Sequence, residues 1–230
     1  MNENELNFEN YQSNLKRKNN VILSFYIALG TSLLSFFVGI YYYIELDKFV
    51  NSEVEDISVI EGIYGITGIM QGISIIVTMI FFVLWFRRAY ANLKRVGLSI
   101  ENNDNMDFWG FVIPIINFVK PLKIAKEIDL KYDYLLHKFN ENHHSNPNNY
   151  SILTAWWIVY WVDNIVTRIA TKYNLSSLEQ ILDNQKIMLF SDVVSLISIL
   201  LTILMIKTLS KSENELEQYL KLEELNSNNL

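Results

Sequence analysis

Two runs of the chain carry no charge: residues 21–44, VILSFYIALGTSLLSFFVGIYYYI, and residues 62–86, GIYGITGIMQGISIIVTMIFFVLWF. About 20 apolar residues at ~1.5 Å rise cross a ~30 Å hydrocarbon core, so each run is long enough for a transmembrane helix. A third spanning helix is expected over about 150–170 and a fourth over about 187–206, IMLFSDVVSLISILLTILMI. The insertion between helices 2 and 3, residues 98–149, has a different pattern. Its apolar core, Phe108 to Val119, holds Pro114 and is too short to span as a helix. It reads as a segment that lies at the interface or re-enters the bilayer. From Leu122 onward, Leu122, Ala125, Ile128, Tyr132, Leu135 and Phe139 recur at helical spacing, with Lys123, Lys126, Lys131 and Lys138 among them. That is an amphipathic helix, lying on the membrane or against a bundle. The expected fold is an all-α polytopic integral membrane protein. It has four transmembrane helices, with a proline-broken interfacial segment and an amphipathic helix between helices 2 and 3. They form a single membrane domain over 21–206.

Residues 1–20 make a polar tail and 207–230 an acidic one. The first apolar run is too long for the core of a cleavable signal, and no small-residue cleavage site follows it, so it reads as an uncleaved anchor. Taken alternately across the four helices, fifteen Lys and Arg residues fall on one side and three on the other, with Arg168 inside the third helix. The positive-inside rule then puts both termini and residues 87–149 in the cytoplasm. A net charge of −6 argues against nucleic acid as a partner. The absence of cysteine excludes disulfides, thiolate metal sites and cysteine nucleophiles. His143 and His144 are adjacent, so they point apart on any regular backbone, and no carboxylate cluster accompanies them; no metal is expected. Neither a phosphate-binding glycine loop nor a zinc-protease motif nor a nucleophile elbow occurs. The chain is therefore expected to be no enzyme and to need no cofactor.

Three local patterns carry a family resemblance. The first, LWFRRAYANL, holds Trp85, Arg88, Ala89 and Asn92 at the end of helix 2. The second, FWGFVIPIINFVKPLKIAKEI, holds Trp109, Pro114, Asn117, Pro121 and Glu127. The third is the pair Trp156 and Trp157, opening a spanning helix. Together they resemble the bacterial membrane proteins grouped as the domain of unknown function 4328 family, over roughly residues 21–210. This chain departs from the family pattern at Phe118, where Trp is frequent, and at Lys120, where Arg is frequent. The resemblance implies a four-helix protein of a bacterial cytoplasmic membrane and confers no activity.

Polar residues inside spanning helices are the natural candidates for a site. Trp161, Asn164 and Arg168 share one stripe of helix 3, and Tyr160, Asp163 and Thr167 the next. Asp163, Asp192 and Gln71 fall at similar depth, so Gln71, Asp163, Asn164, Arg168 and Asp192 can meet as an outer-leaflet polar cluster. Two readings stand. In one, Arg168 pairs with Asp192 or Asp163 and clamps helix 3 to helix 4. In the other, the spare carboxylate serves a small polar cavity for an ion, a proton or a small ligand. Gly65, Gly68 and Gly72 offer a close-packing face, expected to serve packing within the chain and otherwise a homodimer. Arg87, Arg88, Lys94 and Arg95 form a juxtamembrane basic cluster suited to anionic lipids. The leading functional expectation is a non-enzymatic scaffold or interaction protein with a protein partner or a second copy of itself. The alternative is a small transport or sensing protein using Asp163, Arg168 and Asp192.

Overall fold

A computed structural model describes residues 6–101, 120–172 and 176–227. All regular structure among them is helical: α1 (Leu15–Val50), α2 (Ser58–Arg95), α3 (Lys120–Phe139), α4 (Asn148–Thr171) and α5 (Leu178–Ser227). Three of these, α1, α2 and α5, are long and apolar enough to cross a membrane. α4 is not among them, since Asp163, Asn164 and Arg168 dilute its apolar content. The amphipathic helix expected after Pro121 is α3. The proline-broken stretch before it, with Trp109, Pro114 and Asn117, lies outside the described residues.

Local chemistry sets the helix ends. α2 stops at Gly97, whose φ is 90°: Gly97 N–H bonds Lys94 O at 3.0 Å and Leu98 N–H bonds Leu93 O at 3.1 Å. This pair of bonds caps the last carbonyls and requires a left-handed residue, which glycine adopts without a Cβ clash. α1 ends the same way on Ser52, at φ 60°, where a serine bears the strain. α2 opens where the Asp56 carboxylate accepts the Ser58 N–H at 2.8 Å. α5 opens where Ser177 Oγ accepts the Gln180 N–H at 3.3 Å, and Gln180 Oε1 accepts the Ser176 N–H at 2.9 Å.

The chain divides into two compact units. The first gathers Met1–Ile22, Ile80–Thr154 and Leu204–Leu230. Its core is Trp85, Tyr90, Leu93, Ile124, Ile128, Tyr132, Leu135, Met205, Leu209 and Leu216, all essentially sealed from solvent. The buried face of α3 contains Ala125, Ile128, Tyr132 and Leu135 of the apolar stripe read from the sequence, with Pro121, Ile124, Glu127 and Leu136 added and Leu122 and Phe139 at its margin. Residues beyond 206 are not a loose tail. They prolong α5, and Leu209, Glu213, Leu216 and Glu217 recur on its buried side.

The second unit gathers Leu23–Met79 and Ala155–Ile203. Within it α1 and α2 run antiparallel. Thr78 Oγ1 donates to Ser24 O at 3.0 Å, Thr31 and Ser74 hydroxyls meet at 2.7 Å, and Tyr42 stacks on Tyr64 with centroids 4.9 Å apart. Such hydroxyl bonds hold apolar helices together without stranding a polar group. The close approach of this unit is at Gly39. A Cβ there would meet Tyr64 Cε2 at 3.2 Å and Leu189 Cδ2 at 3.3 Å, and Gln185 Nε2 donates to Gly39 O at 3.3 Å.

The expected packing role of Gly65, Gly68 and Gly72 within the chain is corrected. They are exposed, and a Cβ at any of them would have nothing within 4 Å. They lie on the side of α2 that also turns Ile66, Ile69, Ile73 and Ile76 outward, while Thr67, Gln71, Ser74 and Thr78 mark the inward side, so it is the polar stripe and not the apolar one that faces the neighbouring helices. Gly39→Leu is accordingly expected to destabilise the monomer by about 1–3 kcal/mol through overpacking, whereas Gly68→Leu leaves it unchanged or firmer. Unfolding of the two variants in mixed micelles checks the contrast.

Candidate functional site

The polar residues of α4 and α5 meet in the second unit. Asp163 Oδ1 accepts a bond from Ser195 Oγ at 2.5 Å, and Thr167 and Ser191 hydroxyls lie 3.1 Å apart. One turn forward on α4 matches one turn back on α5, the register of an antiparallel pair. Ser198 and Thr167 also stand within hydrogen-bonding reach of the Asp163 carboxylate. Asp192, one turn before Ser195, faces the amide of Gln71 on α2 and lies in the field of Asp163. Gln71 Nε2 reaches Ser32 Oγ on α1 at 3.3 Å. A seam of hydroxyls and one amide thus surrounds two half-buried carboxylates.

Of the five residues expected to cluster, Gln71, Asp163 and Asp192 share this seam. Asn164 does not join it: its Nδ2 folds back on Tyr160 O at 2.7 Å. Arg168 is exposed and, among the described residues, forms no ion pair with Asp163 or Asp192. Arg168 follows Asp163 by five positions, ~140° around the helix, so it points away when Asp163 points in. The hydroxyls of Ser195, Ser198 and Thr167 occupy the place that an arginine clamp would have taken. The sequence placed Thr167 on the Asp163 stripe, but Ser195 and Ser198 were not singled out, because a lone Ser in a spanning helix is common. The signal was their spacing from Asp192 and Asp163.

The family-pattern residues at the end of α2 are in the first unit, as a docking strip. Trp85 is fully buried, and its carbonyl accepts Asn14 Nδ2 at 3.1 Å. Ala89, small enough to admit a ring, offers its carbonyl to the Tyr132 hydroxyl at 3.2 Å. Asn92, at 0% exposure, grips an extended chain: its Nδ2 donates to Gln12 O at 2.8 Å and its Oδ1 accepts the Gln12 N–H at 3.4 Å. Arg88 is half-buried in the field of Glu213. Arg95 donates to Asn92 Oδ1 at 2.9 Å, while Arg87 and Lys94 are exposed. Pro121 is buried in the first turn of α3, where no N–H is needed. Trp156 and Trp157, in the second unit, are buried with centroids 5.3 Å apart.

The buried glutamates Glu127, Glu213 and Glu217 complete the first unit. Glu127 accepts from Tyr90 at 2.7 Å, from Lys131 at 2.6 Å and from the Glu101 N–H at 3.0 Å; Lys131 also reaches Ser99 O. Burial works against its charge, but these three donors outweigh it and hold the carboxyl below its ordinary value. Glu213 accepts from Asn14 at 3.2 Å and Tyr132 at 3.3 Å and has no ion pair among the described residues. His143, read from the sequence as a linker residue, bonds Asp133 at 2.8 Å. No group of three or more metal-ligating side chains occurs among the described residues.

Among the described residues these features define an all-helical protein with three helices long and apolar enough to cross a membrane. The chain belongs to the family described as Domain of unknown function (DUF4328), whose model matches residues 50–211. No curated protein and no solved structure matches the chain.

Proposed function

We propose that the chain is a small proton- or cation-responsive membrane protein whose site is the Asp163–Asp192 seam. It would span a bacterial cytoplasmic membrane four times, with both termini inside and α4 as the polar fourth span. The asymmetry of fifteen against three Lys and Arg residues supports that orientation. The observation that carries the reading is that neither carboxylate has an arginine partner, while hydroxyls and an amide line the space around them. Two like charges away from bulk water repel each other and lose hydration, so a proton or a small cation must share the site. The open glycine face of α2 supports association with a second copy, which a four-helix transporter would need. Arg87 and Lys94, exposed beside the span, suit anionic lipids.

A scaffold would offer partners the basic segment and the acidic C-terminal helix. Packing of Leu209, Glu213 and Leu216 into the first unit removes much of that surface, and the ion-site reading is favoured over it. In liposomes loaded with a pH- or potassium-sensitive dye, the wild-type chain is expected to dissipate a gradient. Asp163→Asn should fall to the background of empty liposomes, and Arg168→Gln should keep most of the flux. A wild type silent towards protons and alkali cations, or an Asp163→Asn as active as wild type, would return the seam to a purely structural role.

A further inference from the structure

The first unit holds a second acid that the proposed ion site does not use. Glu213 is 3% exposed. It faces the N-terminal segment through Asn14 and Tyr11, α1 through Lys18, α2 through Arg88, α3 through Tyr132 and its own helix through Glu217. Asn14 is 1% exposed, and its orientation is fixed because Trp85 O can only accept, so the nitrogen must face it. One amide N–H then meets Trp85 O and the other meets Glu213 Oε2. The amide oxygen, Asn14 Oδ1, is buried and has no donor among the described residues. A buried acceptor without a donor is costly, and an ionised carboxylate, which only accepts, cannot supply one. A neutral carboxylic acid can: with Oε2 already at the Asn14 N–H, protonated Glu213 has an O–H to offer the same amide, whereas the ionised form has none.

The surroundings agree. Burial pushes the Glu213 carboxyl up to about 7; the Asn14 and Tyr132 donors pull it down, Glu217 adds to the rise, and Lys18 only partly offsets it. Burial, with Glu213 close by, pushes the Tyr11 and Tyr132 hydroxyls well above their ordinary range, so both keep their protons throughout. Glu213 is thus the member of this cluster that titrates near neutrality.

We propose that protonated Glu213 latches the N-terminal segment, residues 6–14, onto the first unit through Asn14, and that loss of this proton frees the segment. The other holds on the segment are independent of that proton: Asn92 on the Gln12 backbone, Ser13 Oγ on Glu217 at 2.9 Å, and the Phe8 ring on Phe139. The segment is therefore a strap whose grip is set by pH. Once released, Glu213 is hydrated and returns towards the ordinary glutamate value near 4.3. The strapped state binds the extra proton between that value and about 7, so its grip is greatest at the acid end, weakens across this window and is level above it.

Hydrogen exchange of the full chain in detergent micelles, corrected for the intrinsic pH dependence of exchange, reads the strap directly. Protection of residues 6–14 is expected to fall by about thirtyfold between pH 5 and pH 7, the linkage expected for one proton, and to level off above. Glu213→Gln, neutral at every pH and able to pair with Asn14 in the same way, should stay protected with no pH step. Asn14→Ala should be as open at pH 5 as the wild type is at pH 7. A wild type without the step, a Glu213→Gln that retains it, or an Asn14→Ala as closed at pH 5 as wild type would each overturn the latch. These readings do not involve Asp163 or flux, so they stand or fall apart from the ion site.

Discussion

Replacing Trp85 by alanine is expected to destabilise the protein by about 3–5 kcal/mol, the largest single-residue effect in the chain. Trp85 is at 0% exposure in the core of the first unit and packs its ring on Phe82 and Phe86 at centroid distances of 5.8 and 6.0 Å. Alanine leaves a cavity the size of an indole in a core whose helices cannot all close on it. Its carbonyl also anchors Asn14, so a shifted backbone loosens the N-terminal segment as well. The indole N–H has no partner among the described residues. Trp85→Phe therefore gives up no hydrogen bond and should cost only about 1–2 kcal/mol. Denaturant unfolding in mixed micelles separates the two. Equal losses for Ala and Phe would mean that the site depends on the indole nitrogen and not on volume.

Glu127→Ala is expected to be next, at about 3 kcal/mol, because it strands Lys131, the Tyr90 hydroxyl and the Glu101 N–H that converge on one carboxylate. Its titration has the opposite sign to that of Glu213. Its folded value is depressed, so its contribution is fully present above the ordinary glutamate value. It is lost as pH falls through the lower folded one. The wild type should thus lose stability at acid pH through Glu127, and Glu127→Gln should flatten that limb while retaining the Tyr90 bond. An unchanged acid limb in Glu127→Gln would assign acid sensitivity to another group. Of the buried glutamates in this unit, Glu127 is kept ionised by three donors, and Glu213 stands near two weak donors and a like charge. Number and charge of neighbours, not burial alone, decide which way each carboxyl moves.

What the sequence made legible follows from how strongly each pattern constrains the chain. The uncharged runs at 21–44 and 62–86 lie within α1 and α2, because length and hydropathy alone decide a span. The Lys-flanked stripe of α3 was readable to within a residue, since amphipathic periodicity marks one face. The faces of α2 were not read, as Gly68 shows: its inward side is marked by the stripe Thr67, Gln71, Ser74 and Thr78, and the small residues lie on the opposite, outward side. Asp163 was found because an acid in an apolar helix stands out. Thr167 was placed on its stripe, but Ser195 and Ser198 were not found, and an Arg168 clamp stood as one of two readings because charge balance alone left both open. Glu213 and Glu217 sit on the buried side of α5. Their spacing from Leu209 and Leu216 pointed there, but an acidic stretch at a chain end reads first as solvated.

Asn92 holds the Gln12 main chain by its N–H and C=O, and the Gln12 side chain is exposed. A receptor that reads only the peptide unit is indifferent to the side chain it displays. Every residue but proline offers the same donor and acceptor. The strip formed by Trp85, Ala89 and Asn92 can therefore stay fixed while this position of the strap drifts in sequence, whereas Phe8, Ser13 and Asn14 are held through their side chains. The matched region begins at residue 50, well after the strap. The matched region thus holds the lock, Trp85, Ala89 and Asn92, and not the segment it grips.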